Sequence, residues 1–140
     1  MTRDEAQQLA RAVLAAAGQP ESVGLNPQGF GGVAVDNAQL NFELHEDKQE
    51  LECSALDYKF RENPKPGVID GFEAEQKAGT DAGGGSVDFE PENKSLFLSR
   101  FYTQAPPQPI FVDDMKRLMK ASLVWGGEVM DRVASRVFER

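Results

Sequence analysis

The 140-residue sequence predicts an α+β fold in a single domain: a twisted antiparallel sheet packed against an N-terminal helix and a long C-terminal helix, in the order α-βββ-α-ββ-α. Three observations carry that expectation. Apolar residues recur at helical spacing near both ends of the chain, they alternate singly through most of Phe30 to Tyr102, and the connections among the first three alternating runs are too short for a crossover. A chain of this length buries roughly two thirds of the surface it exposes when unfolded, enough for a core without staples. No internal repeat or change of composition marks a second domain.

The first helix is introduced by Thr2 and Glu5, which stand at capping-box spacing. Ala6, Leu9, Ala10, Val13, Leu14 and Ala17 form its shallow apolar stripe, Gly18 suits the left-handed position past its end, and Pro20 prevents continuation. From Phe30 the period changes to two. Phe30 to Asp36 reads as a strand, Asp36-Asn37 as a tight turn, and Ala38, Leu40, Phe42, Leu44 against Gln39, Asn41, Glu43, His45 as a half-buried strand. Leu51, Cys53 and Ala55 continue on one face of the third strand, whereas Leu56, Tyr58 and Phe60 lie on the other. The phase therefore slips near Ala55-Leu56, or both faces are covered there.

Arg61 to Gly85 is rich in proline and glycine, and Pro66 with Val68, Ile69 and Phe72 predicts a short helix to about Lys77, broken or weakened at Gly71. Strands resume at Val87-Phe89 and, after a Pro91-Asn93 turn, at Leu96 to Tyr102. Large apolar groups on both sides make that last strand central. A stiff proline link, Ala105 to Pro109, leads to a helix from Phe111 to Arg140, with Asp113 and Asp114 in its first turn and Arg136 and Arg140 in its last, complementing the macrodipole. Its main stripe includes Met115, Leu118, Met119, Val129, Val133 and Val137. Leu123-Val124-Trp125 adds a greasy band beyond what one sheet can cover, and Gly126-Gly127 marks a place where another backbone can come close.

The net charge of -8 is unevenly spread: -5 over Asp36 to Glu62, -6 over Asp70 to Glu92, and +3 from Lys94 onward. Such a surface repels phosphate backbones, so nucleic acid is excluded as a partner, and a basic or amphipathic polypeptide fits better. No window is apolar enough for a membrane span, and no N-terminal stretch reads as a signal peptide, so the chain is expected in the cytoplasm.

Catalytic residue types are scarce. The single histidine, His45, has no histidine or cysteine near it in sequence, so a metal would rest on carboxylates alone, and none is expected. The lone Cys53 belongs to the apolar set of its strand and His45 to the polar set, which opposes a nucleophile-base pair. Gly29 to Gly32 and Gly83 to Gly85 lead into strands rather than helices, unlike phosphate-binding loops. The expectation is a non-catalytic protein without cofactor.

In element order and in several stretches the chain resembles the class I type III secretion chaperones, grouped with the Tir chaperone family. The stretches are Leu9 to Gly18, Val33-Ala34-Val35-Asp36 with Leu40-Asn41-Phe42, Leu51 to Tyr58, Gly83-Gly84 before Val87-Asp88-Phe89, and Leu118 to Val133 around Trp125. The resemblance implies a cytoplasmic homodimer that holds an N-terminal segment of a secreted effector in extended, secretion-competent form, without nucleotide or metal. It implies client contacts at Leu9, Val13, Leu40, Phe42 and Leu44, and a dimer interface at Ile69, Phe72, Val87 and Phe89. A non-secretory protein-binding or adaptor module of the same fold is the alternative that the residues leave open.

Overall fold

The computed structural model describes residues 1–138, so Arg140, expected in the last helical turn, lies outside them. Helix α1 spans Arg3–Ala16. Its capping box forms, because the Thr2 hydroxyl accepts from the Glu5 amide (3.1 Å) and the Glu5 carboxylate accepts from the Thr2 amide (2.9 Å).

Strands β1 (Phe30–Val35), β2 (Ala38–His45) and β3 (Glu50–Lys59) form an antiparallel meander. Helix α2 (Pro66–Lys77) then carries the chain past β3 to the sheet's edge, where β4 (Ser86–Glu90) turns back into β5 (Ser95–Tyr102). The strand order is β1-β2-β3-β5-β4, so β5 is an interior strand, paired on one side with β3 and on the other with β4. Register aligns Leu40 with Ala55, Phe42 with Cys53, Leu44 with Leu51, and Ala55 in turn with Leu98. These side chains build one apolar face, and the helices cover it.

The expected phase slip in β3 is a bulge. Leu56 faces Phe97 and Tyr58 faces Leu96, leaving Asp57 unpaired between them. The backbone carbonyl of Asp57 points at the C-terminal helix, and a Cβ placed on Gly126 would sit 1.9 Å from that oxygen. Only glycine admits such an approach. At the same point the helix widens: α3 (Gln108–Val124) passes through a π turn at Trp125–Val129 into α4 (Met130–Phe138). The Gly126-Gly127 pair thus marks a π bulge in a continuous helical rod.

Three expectations are corrected along these helices. The long helix starts at Gln108, not Phe111, because Pro109 is tolerated in a first turn whose amides have no intrahelical acceptor. Asp114 therefore lies beyond the first turn, where it is buried, accepts from the Tyr102 hydroxyl (2.9 Å) and pairs with Arg100 (3.2 Å). It serves a buried network and not the helix dipole. Gly71 does not break α2 either: its Cβ would lie 2.6 Å from Val133 Cγ1, so the missing side chain is what lets α2 pack on α4.

That packing is reinforced by Glu75, only 4% exposed, which accepts from Arg132 (3.1 and 2.5 Å), Arg136 (2.8 Å) and Thr80 (2.8 Å). The Arg132 hydrogen bonds foremost hold its carboxyl down at about 2. The greasy band divides. Trp125 is fully buried, stacks on Phe72 with centroids 6.0 Å apart, and donates its indole N–H to the Asp81 carbonyl (2.8 Å). Leu123 and Val124 remain exposed.

Both carboxylate oxygens of Asp57 are out of contact with solvent and lack a partner among the described residues, although the residue as a whole is half-buried. Burial pushes this carboxyl from 3.8 up to about 9. A group raised on folding stabilises least where it must ionise, so its contribution is present in acid and is lost as pH rises towards that value. Asp57→Asn should therefore exceed the wild type at pH 8 by about 2 kcal/mol or more in urea unfolding, with the gap closing towards pH 4. In the same assay Gly126→Ala should lose about 2 kcal/mol or more through overpacking, while Gly127→Ala, with no neighbour within 4 Å of its new carbon, should change stability by under about 1 kcal/mol or raise it.

Candidate functional site

The face of the sheet turned away from the helices is polar in its middle and aromatic at its flanks. Register sets one row straight across four strands: Phe30 of β1, Glu43 of β2, Glu52 of β3 and Phe101 of β5. Both phenylalanines are half exposed. The next row is Asn41, Ser54, Ser99 and Ser86, and Phe97 and Asp88 follow on β5 and β4. A groove of about 560 Å3 lies over this face, lined by Phe30, Phe97 and the carboxylates Glu43, Glu52 and Glu90, with no basic residue in its lining.

A chain of polar contacts runs through the face. His45 Nε2 lies 2.8 Å from Glu52 Oε1 and 3.2 Å from Glu43 Oε2. Ser54 donates to Glu52 Oε2 (3.2 Å) and meets the Ser99 hydroxyl at 2.9 Å, and Ser99 lies 3.3 Å from Asp88 Oδ2. Two hydroxyl protons cannot fill three contacts. All three become hydrogen bonds together when one of the terminal carboxyls is protonated, and Asp88 is the one that burial pushes up, aided by the charges of Glu52 and Glu90. His45 is raised as well, chiefly by its hydrogen bond to Glu52.

This order is not that of a nucleophilic relay. The carboxylate of Glu52 stands between Ser54 and His45, whereas hydroxyl activation needs the imidazole against the hydroxyl. Cys53 is fully buried on the helix face, its thiol pushed up by desolvation, so the pairing with His45 is excluded as alternation suggested. What the face can do is bind: apolar side chains against Phe30 and Phe101, and cations or N–H donors against the acids between them.

No family model matches the sequence, and no curated protein does. Solved structures match in fold: a chain of the ExsC-ExsE complex superimposes with TM-score 0.69 at 14% identity over 88% of this chain and 92% of that one. A chain of the HopA1-SchA chaperone-effector complex gives TM-score 0.58 at 12% identity over 94% of this chain and 98% of that one. The fold is that of the class I type III secretion chaperones. Likeness over nearly the whole of each chain also agrees with the α+β order of elements expected from sequence.

Within this chaperone fold the residues expected to touch a client are interior. Leu9, Val13, Leu40, Phe42 and Leu44 are all buried, because α1 and α3 lie directly on the apolar sheet face that they share. They belong to the core between the helices and the sheet, and no more than 5% of any of them is exposed. Phe72 likewise leaves the expected dimer interface, since its ring is fully buried against Trp125. Ile69, Val87 and Phe89 are only partly buried at the α2 and β4 edge, with Phe60 6.1 Å from Phe89. Phe30 and Phe101 escaped the sequence reading, although the Phe97, Ser99, Phe101 alternation already called for cover on a second face. Among the described residues no helix is long and apolar enough to cross a membrane.

Phe72→Ala should cost about 3–5 kcal/mol in chemical denaturation, the loss expected for a ring inside a core. Phe89→Ala, half covered, should cost clearly less, and equal losses would contradict these placements.

Proposed function

We propose that this chain is a non-catalytic chaperone that holds an extended N-terminal segment of a secreted effector protein and keeps it secretion-competent. The carrying observation is the fold shared, over almost the full length of both partners in the comparison, with a chain solved in a chaperone-effector complex. The helix-free face supports the reading. An unfolded segment offers apolar side chains at intervals and frequent basic residues, and Phe30 and Phe101 flank an acidic row that suits both.

The chaperone acts as a homodimer in this proposal. Ile69, Val87 and Phe89 form its interface, joined by the outer edge of β4, an edge strand of the sheet among the described residues. Phe72 supports that surface from beneath without reaching the partner. Residence in the cytoplasm follows from the task, because a client must be met before export.

Affinity capture from the native host with the full chain as bait, followed by mass spectrometry, tests the reading. One secreted protein, retained through its N-terminal segment, is the expected catch, and a folded signalling partner would overturn it. Phe30→Asp and Phe101→Asp should each weaken that segment's binding by roughly tenfold or more in titration calorimetry, since each removes an exposed aromatic anchor. Both variants should keep the wild-type fold by circular dichroism.

A further inference from the structure

We propose that Glu43, His45 and Glu52 form a binding site for a divalent transition-metal ion of the zinc class. The inference is independent of the chaperone reading and rests on the β2-β3 hairpin. Register sets Glu43 directly opposite Glu52, and His45 lies two residues farther along β2 on the same face. Glu43 Oε2, His45 Nε2 and Glu52 Oε1 all lie within 4.8 Å of one another, with the imidazole nitrogen 2.8 Å from Glu52 and 3.2 Å from Glu43.

Those distances suit a bound ion. Zinc holds nitrogen and carboxylate oxygen at about 2.0–2.2 Å in tetrahedral geometry, so its ligand atoms stand roughly 3.3 Å apart. The imidazole nitrogen need move only by tenths of an ångström, and the two carboxylates, within 4.8 Å of one another, close on the ion by side-chain rotation. The donor set, one imidazole and two carboxylates, matches borderline ions such as Zn2+ better than Mg2+, which prefers an all-oxygen octahedral shell.

Charge placement argues the same way. Like charges directly opposite on adjacent strands repel, so the Glu43-Glu52 pair calls for a cation between them. His45 occupies that place as an imidazolium when protonated and as a ligand when a metal is bound. A second layer of contacts is in position. The other oxygen of Glu52 accepts from Ser54, whose hydroxyl meets that of buried Ser99, so the carboxylate is oriented before any ion arrives. Side-chain exposures of 38%, 27% and 20% for Glu43, His45 and Glu52 leave an entry path from solvent and room for water as a fourth ligand.

The test uses the untagged full chain, freed of metal with a chelator, titrated with ZnCl2 in a calorimeter at neutral pH and compared with MgCl2. One zinc ion per chain should bind, with Mg2+ weaker by about tenfold or more. His45→Ala and the isosteric Glu52→Gln should each weaken zinc by about tenfold or more, while Glu50→Gln, on the same hairpin, should not. Substitution by Co2+ gives an independent signature, the intense visible bands of a tetrahedral site, absent in His45→Ala. Circular dichroism identifies any variant that has lost its fold, and Glu52→Gln then decides. Absence of zinc binding by the wild type, or binding unchanged in the folded variants, would overturn the site.

Discussion

The crossing of the C-terminal helical rod over the β3 bulge governs how the rest of the molecule packs. At Gly126 the helix backbone meets the Asp57 carbonyl with no room for a side chain between them. The π turn there lets the rod keep its buried stripe on the sheet through Trp125, Val129 and Val133 while it accommodates the bulge. Trp125, seated at that crossing, is roofed by Phe72 and tied to the Asp81 carbonyl, so α2 and the following loop are placed by the same contact. Asp57 is left beneath the helix with carboxylate oxygens that have no partner among the described residues.

From that crossing follows a sheet with two unlike faces. One face receives every helix and is apolar, carrying the three leucines, the valine and the phenylalanine first expected at a client surface: Leu9 and Val13 from α1 above it, Leu40, Phe42 and Leu44 from β2. The other receives none and carries acids, hydroxyls and two exposed phenylalanines. A protein with net charge -8 has ample carboxylates to spread over its outer surface. Glu43 and Glu52 instead face one another across a strand pair, and the His45 imidazole lies against both. Exposed aromatic and polar groups are concentrated there because the helices cover the other face.

Much of the fold was legible in the residues, because periodicity reports which side of an element is buried and short connections restrict topology. The capping box at Thr2, the strand from Ala38 to His45, the bulge after Ala55 and the helix from Pro66 to Lys77 all lie where local pattern put them. The misses have a common cause. Alternation tells that Leu40 and Phe42 share a face but not that α1 and α3 occupy it, and a helical stripe tells that Phe72 is buried but not whether its cover comes from the same chain or another.

The candidate site was the least legible part. His45 looked isolated because its carboxylate neighbours are separated from it in sequence by a hairpin, and only strand register brings Glu52 within 2.8 Å. Phe30 and Phe101 are separated by some seventy residues and become one surface through three successive pairings. The α+β class, the order of elements and the acidic character belong to the chain's own pattern, since each arises from contacts within a few residues or from composition alone. Which apolar face is core, how Asp114 and Glu75 are paired, and which acids converge on one histidine were settled by long-range packing, because those outcomes turn on which distant segments come to share a face.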